Sequence, residues 1–317
     1  MDISIIICSY NRSQNLPDCF SCLEKQLLST PIQWEVLLVD NNSSDKTKMV
    51  TEEFINTSTL NIRYIFEAEQ GLSAARNKGI NEATGTYLIF IDDDIRVTEN
   101  WLQSIVSTFK QFDCDAVGGR IHIESPAKLP KWISPDMYGF LGHQDFGTNP
   151  HQMDGIKEFP FGGNMAIHRR VIDMIGNFDV KMGRKGTGLI KEELFKGEET
   201  DFFHRLAAEG GTFYYHPDAL VYHKILPHQL QKSFFLTLHN NAGALKAKLD
   251  TKSYRRNLSG IPLFIIPQLF RATWRYLVII FTKGPNYSVR QLMNVYYFWG
   301  MICSYQEKSK YDKKYRT

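Results

Sequence analysis

A chain of 317 residues and 36.6 kDa, 43% hydrophobic and 22% charged, carries enough apolar material for a full core and is not a disordered protein. A net charge of +3 and a pI near 8.4 give no ground for nucleic acid, but tolerate an anionic ligand or an anionic membrane surface. Five cysteines make no disulfide framework: Cys19 and Cys22 lack the second pair a zinc site needs, their spacing suits the buried face of a helix, and the usage fits a reducing cytosol.

The first apolar run, Ile3–Cys8, is too short for a signal peptide or a membrane span and reads as a strand, with a helix to follow near Asn15–Leu27. Trp34–Asp40 is a second strand, and NNSSDKT supplies a turn before a helix near Thr47–Phe54. Ile62–Phe66 is a third strand, GLSAARNKGINEA a helix, Tyr87–Asp92 a fourth strand, Glu99–Phe112 a helix and Ala116–Ile123 a fifth strand. Continuous apolar strands alternating with helices predict a parallel sheet covered on both faces.

From Glu124 to Glu158 the pattern gives way to a Pro-, Gly- and aromatic-rich stretch, of the kind that is functional or ordered by a ligand. Regular structure resumes at FGGNMAIHRRVIDMIG, then at the amphipathic helix GEETDFFHRLAAEG and the strand-like HPDALVYH. Ile261–Phe281 is the most apolar window. Its twelve Leu, Ile, Phe or Val residues favour insertion by about 5 kcal/mol, while Arg271 and Arg275 cost roughly 2.5 to 3.5 kcal/mol each, so the sum is near zero. A helix hairpin against the domain or in the membrane interface fits better than a span. The tail QEKSKYDKKYRT, with Lys308, Lys310, Lys313, Lys314 and Arg316, reads either as a frayed end or as a contact with anionic lipid.

The chemistry gathers where strands end, which is where open parallel sheets bind ligands. Asp40 closes the second strand, and Asp92, Asp93 and Asp94 close the fourth. The first strand ends in Cys8-Ser9-Tyr10-Asn11-Arg12 without a G-x-G-x-x-G or a P-loop, so neither of those phosphate cradles is supported. A strand-end carboxylate suits a nucleobase or a ribose. Three adjacent aspartates suit Mn2+ or Mg2+ on a diphosphate, the cation supplying the positive charge the cluster lacks.

In order and spacing, SIIICSYNR, EVLLVDNNSSDKT, GLSAARNKGI, YLIFIDDDI, FGGNMAIHR and GEETDFFHRL resemble the family 2 glycosyltransferases over roughly residues 1–225. The resemblance implies the GT-A fold, an α/β Rossmann-like and mostly parallel sheet with helices on both faces, here with a helical C-terminal region. Residues 1–225 would be the transferase domain, 1–123 its nucleotide-binding half and 124–225 its acceptor and catalytic half. Residues 226–317 would be helical and membrane-associating, at the cytoplasmic face. The resemblance also implies an inverting transfer from a nucleotide-diphosphate sugar to a saccharide or lipid-linked saccharide acceptor, with Mn2+ or Mg2+.

Carried over by position, Ser9 and Tyr10 line the base pocket and Asp40 bonds the base, with Arg12, Arg76 and Asp93 around the nucleotide. Asp92 meets the ribose or the metal, and Asp94 ligates the metal. Gly162, Gly163 and Asn164 border donor sugar and acceptor. Where the family usually has a Glu-Asp pair this chain has Glu198-Glu199, and either glutamate can be the base, the alignment favouring Glu199. His223 is either a further metal ligand or a strand-end histidine with a local partner, and His216 is a weaker candidate. Gly183-Arg184-Lys185-Gly186 reads as a loop closing over the diphosphate or as a plain surface loop. Two other readings remain: a nucleotidyltransferase, whose basic glycine loop is missing from CSYNRSQN, and a non-catalytic sugar-nucleotide module, against which the Glu198-Glu199 pair and the aspartates speak.

Overall fold

The computed structural model describes residues 1–186, 191–194, 196–252 and 254–315, apart from the side chains of residues 192 and 311–315. The chain divides into two compact units, the first from the described residues of 1–124, 141–187 and 197–225, the second from those of 125–140, 188–196 and 226–317.

In the first unit β1 (Ile3–Ser9), β2 (Trp34–Asp40), β3 (Ile62–Phe66) and β4 (Tyr87–Asp92) are parallel neighbours in the order β3-β2-β1-β4. The connecting helices are α1 (Leu16–Leu23), α2 (Thr47–Thr57) and α3 (Leu72–Glu82), with α4 (Trp101–Phe112) after β4. Side chains alternate across a strand, so Ile3, Ile5, Ile7, Val36, Leu38, Ile89 and Ile91 face α1, α2 and α4. Ile6, Leu37, Val39, Leu88 and Phe90 face the other side, with Ala75 and Ile80 of α3. Both faces being covered is why these strands read as unbroken apolar runs.

The remaining strands are β5 (Ile95–Val97), β6 (Ala116–Glu124), β7 (His151–Met153), β8 (Met165–His168) and β9 (Phe213–Lys224), with α5 (Arg170–Ile175) and α6 (Glu198–Ala208) between the last two. They extend one nine-stranded sheet in the order β3-β2-β1-β4-β8-β6-β9-β5, with β7 also on β9. The fifth strand of the sequence reading is therefore not a neighbour of the fourth. β8 lies between them, antiparallel to both, pairing Ala166 with Ile89 and with Val117. The sheet is mostly parallel rather than wholly so.

The second unit is built on α7 (Lys232–Leu249), a short β10–β11 hairpin (Asn257–Leu258 and Ile261–Pro262), α8 (Ile265–Lys283) and α9 (Pro285–Tyr315). α7 and α9 touch backbone to backbone: a Cβ on Gly243 would lie 1.9 Å from the Tyr297 carbonyl oxygen, and one on Gly300 2.0 Å from that of Asn240. Gly284, at φ 89°, ends α8, its N–H donating to the carbonyls of Ile279 and Ile280, and Pro285 opens α9. The apolar window thus forms a helical hairpin, and among the described residues no helix is long and apolar enough to cross a membrane. In the tail, α9 runs to Tyr315; Arg316 and the side chains of Lys313 and Lys314 lie outside the described residues.

Candidate active site

Register brings the site together. Ser9 pairs with Asp40 across β1 and β2, and Cys8 with Asp92 across β1 and β4, so three strands deliver polar residues to one end of the sheet. After Asp92 the chain turns through Asp93 and Asp94 into β5, which runs antiparallel to β9 and pairs Ile95 with His223. That pairing carries His223 from a distant strand to Asp94.

The aspartates do not wait for a cation to supply all their positive charge. Arg12 Nη1 donates to Asp94 Oδ2 at 2.6 Å and lies 3.4 Å from Asp93 Oδ1, and Ser9 Oγ donates to Asp93 Oδ2 at 2.7 Å. Asn11, in the left-handed region at φ 52°, sets up this approach; its N–H donates to Ser43 Oγ, and its side chain accepts the N–H of Ser44. Arg12, expected around the nucleotide, is therefore engaged with the aspartates first. Burial pushes Asp93 up to about 7, against the pull of Arg12. Burial would raise Asp94 too, but the His223 imidazole and the Arg12 guanidinium outweigh it and hold Asp94 below the usual carboxylate range.

Asp94 Oδ1 is buried and faces His223 Nε2 at 3.4 Å, with no other hydrogen-bond partner among the described residues. His223 Nδ1 lies 2.8 Å from the carbonyl oxygen of Leu141, which only accepts, so Nδ1 carries a proton and Nε2 is the nitrogen turned to Asp94, where a divalent ion would take the place of a proton. Burial disfavours the imidazolium, but Asp94 reverses this and raises the His223 pKa.

Among the described residues no three His, Cys, Asp or Glu side chains cluster as a closed metal cage. Mg2+ or Mn2+ on a diphosphate does not need one, because phosphate and water oxygens complete a shell begun by one or two protein ligands. Two ligands at adjacent octahedral corners stand about 3 Å apart, close to the separation seen. A buried carboxylate oxygen beside an imidazole whose other nitrogen is held by a carbonyl fits a divalent ion.

Asp92 is the open carboxylate of the cluster, half-exposed, with Oδ1 3.9 Å from Arg76 Nη2. Arg76 is not a surface cation. It is buried on α3, its Nη1 donating to Glu198 Oε1 at 3.1 Å and its guanidinium over the Phe178 ring at 5.4 Å. Gly162 is needed beside it, since a Cβ there would lie 2.5 Å from Arg76 Nη2, and Gly163 keeps the space next to Asp92 Oδ2 open.

The adjacent glutamates have different surroundings. Glu198 is buried, paired with Arg76, and accepts the Gly197 N–H. Glu199 keeps Oε2 out of water with no hydrogen-bond partner among the described residues, and burial together with the Glu198 charge pushes its carboxyl up to about 8.

The 183–186 loop is fastened to the start of α3. Leu72 N–H donates to the Arg184 carbonyl, Ser73 Oγ to that of Met182, and Gly186 N–H to Gln70 Oε1. The Arg184 guanidinium shares the field of Asp92, Asp94 and Glu198, while burial and Arg12 lower its pKa.

Asp40 is buried with both oxygens engaged, Oδ1 by the Ser43 N–H and Oδ2 by Tyr64 Oη at 2.7 Å; Tyr10 stands half-buried nearby in sequence to Ser9. Asn164 does not present its amide to a ligand. Its Nδ2 donates to the carbonyls of Arg120 and Ala219, and its Oδ1 accepts from Trp101 Nε1, tying β6, β9 and α4 together. His216 instead accepts the Asp218 N–H at its Nδ1. Sequence reasoning missed Tyr64; the polar ring in the strand paired with β2, at Leu38, was the available signal.

A family model described as glycosyl transferase family 2 matches residues 4–176. The glucosyl-dolichyl phosphate glucuronosyltransferase of Haloferax volcanii is 24% identical over 73% of this chain and 72% of its own length. The succinoglycan biosynthesis protein ExoM of Rhizobium meliloti is 25% identical over 71% of this chain and 67% of its own. Among solved structures, the mannosyltransferase PcManGT of Pyrobaculum calidifontis, in complex with GDP-Man and Mn2+, superposes with a TM-score of 0.55 at 15% identity, over 99% of this chain and 87% of that one. The fold is the GT-A fold. The chain belongs to glycosyl transferase family 2 and is a glycosyltransferase.

Proposed function

We propose that this glycosyltransferase moves a sugar, with inversion, from a nucleotide-diphosphate donor to a saccharide or lipid-linked saccharide acceptor, with Mn2+ or Mg2+ held by Asp94 and His223. The observation that carries the reading is the division of labour between the glutamates: Glu198 is committed to Arg76, while Glu199 keeps a buried, unbonded oxygen and a carboxyl poised near 8. A base works best when its pKa lies near the working pH.

Glu199 takes the proton of the acceptor hydroxyl as that oxygen attacks the anomeric carbon, and no covalent intermediate is required. Ser9, Tyr10, Asp40 and Asp92 hold the nucleoside at the strand ends. Arg12 and Arg184 place positive charge beside the diphosphate. Asp94 and His223 would hold a divalent ion there, which would supply charge neutralisation to the departing diphosphate. The relatives' names support membrane-linked or polymeric glycans as acceptors, a dolichyl phosphate glycan in one and succinoglycan in the other. Work on such acceptors would place the chain peripherally at the cytoplasmic face of the membrane.

The test is Glu199→Gln, assayed for both turnover and donor affinity with the sugar nucleotide that most raises the melting temperature in a UDP-, GDP- and dTDP-sugar screen with Mn2+. Transfer falls by about 10²–10⁴-fold while donor affinity is kept. Normal turnover would remove Glu199 from the role, and lost donor binding would make it part of the nucleotide site.

A further inference from the structure

Among the described residues, the hairpin of the second unit leaves one face of α8 without a partner. Its inner face, through Ile265 and Ala272, is buried, and Ile265 packs with Met301 and Tyr305 of α9. On the outer face, Phe270 is 70% exposed, Trp274 61% and Phe281 86%, with Ile266, Leu277 and Val278 also exposed. Positions 266, 270, 274, 277 and 281 follow one another at three- and four-residue steps, so they form a single stripe along the helix. An exposed stripe of this kind marks a binding surface rather than scattered surface residues.

The charge around it selects the occupant. Between Asp250 and Glu307 the chain has seven Lys or Arg and no Asp or Glu, so this stretch carries +7 and the rest of the chain −4. Arg271 and Arg275 are exposed and each follows a stripe aromatic, Phe270 and Trp274, while Lys283 is exposed beside Phe281 at the hairpin tip. Of the seven cations, Arg290 has an acidic partner, Asp136 at 3.5 Å. A protein partner would have to bring an apolar groove walled with acids; an anionic bilayer offers an apolar interior under a negative surface without further design.

We infer that α8 lies in the plane of an anionic lipid surface, with Phe270, Trp274 and Phe281 entering the acyl region and Arg271, Arg275 and Lys283 at the phosphate level. At about 28 Å, α8 is long enough to present five turns to the surface. Its two central arginines keep it from crossing, and a helix with such a stripe and cationic flanks lies about 5–10 Å deep. The inference does not depend on the transfer chemistry, since binding is read without donor or acceptor.

The experiment is co-sedimentation of the full chain with vesicles of phosphatidylcholine alone and of phosphatidylcholine with 30% phosphatidylglycerol. The expected result is binding to the anionic vesicles at 0.1 M salt, at least tenfold weaker at 0.5 M salt, where screening shortens the reach of exposed charges. Phe270→Ser with Trp274→Ser, and separately Arg271→Glu with Arg275→Glu, each weaken it at least tenfold. Circular dichroism melts and the donor-induced thermal shift check that both variants fold as wild type. Binding that is unchanged in both variants, or absent from anionic vesicles, overturns the inference. So does release only by detergent, indifferent to salt, which would mean insertion. A wild-type dimer in sedimentation that Phe270→Ser with Trp274→Ser makes monomeric, without vesicle binding, would assign the stripe to a second copy of the chain.

Discussion

Glu199 holds its proton because burial and the neighbouring Glu198 both oppose a second negative charge there. The sign of the resulting pH effect is fixed. The protonated form cannot accept the acceptor's proton, so kcat/KM for the donor rises with pH and levels off above about 8. Two units below that value about 1% of the carboxyl is ionised, so the rate at pH 6 is roughly 100-fold below the plateau. A profile flat between pH 6 and 8 would contradict the assignment. Glu198 gives the opposite signature. It neutralises the buried Arg76 at 3.1 Å, and removing one partner of a buried pair costs about 3–5 kcal/mol. Glu198→Ala should therefore lower the urea midpoint strongly, whereas Glu199→Ala should not. Equal midpoints for the two would mean that the Arg76 contact contributes little.

At the scale of elements, Asn164 joins β6, β9 and α4 through three hydrogen bonds, two of them to the buried Trp101 and Ala219. Asn164→Ala removes all three bonds and leaves the buried Trp101 N–H without its partner, at about 1–3 kcal/mol for a group stranded out of water. Thermal melts should show a large loss of stability, with donor affinity per folded molecule near wild type. A stable variant that has lost donor affinity would return Asn164 to the donor site.

The same residue shows what could be read from the chain. β1 to β4 were legible to within a residue, because a strand buried on both faces is an apolar run whatever its neighbours are. The insertion of β8 between β4 and β6 was not legible, since pairing Ala166 with Ile89 depends on partners far apart in sequence. That insertion is what puts Asn164, just before β8, among structural carbonyls. The Asp94–His223 contact was half legible: both residues stood out as metal-ligand types, but only the β5–β9 register joins them. Arg12 was legible only as a residue near the nucleotide; its contact with Asp93 and Asp94 was not, because it depends on the left-handed turn at Asn11.

At the scale of the whole molecule, the chain separates its chemistry from its charge. Every residue assigned to donor, metal or base lies in the first unit, while the acid-free stretch between Asp250 and Glu307 lies in the second. The apolar window was visible in the sequence, but the direction of its stripe was not, because that follows from which side of α8 meets α9. Asp94 and His223 together would make nucleotide binding depend on a divalent ion. Isothermal titration of UDP and GDP into the full chain, with Mn2+ and with chelator, measures this directly for wild type and Asp94→Ala. Wild type should bind one of the nucleotides at least tenfold more tightly with Mn2+, and Asp94→Ala, folded by circular dichroism, should show no such gain. An Asp94→Ala protein with wild-type affinity and the same response to Mn2+ would contradict it.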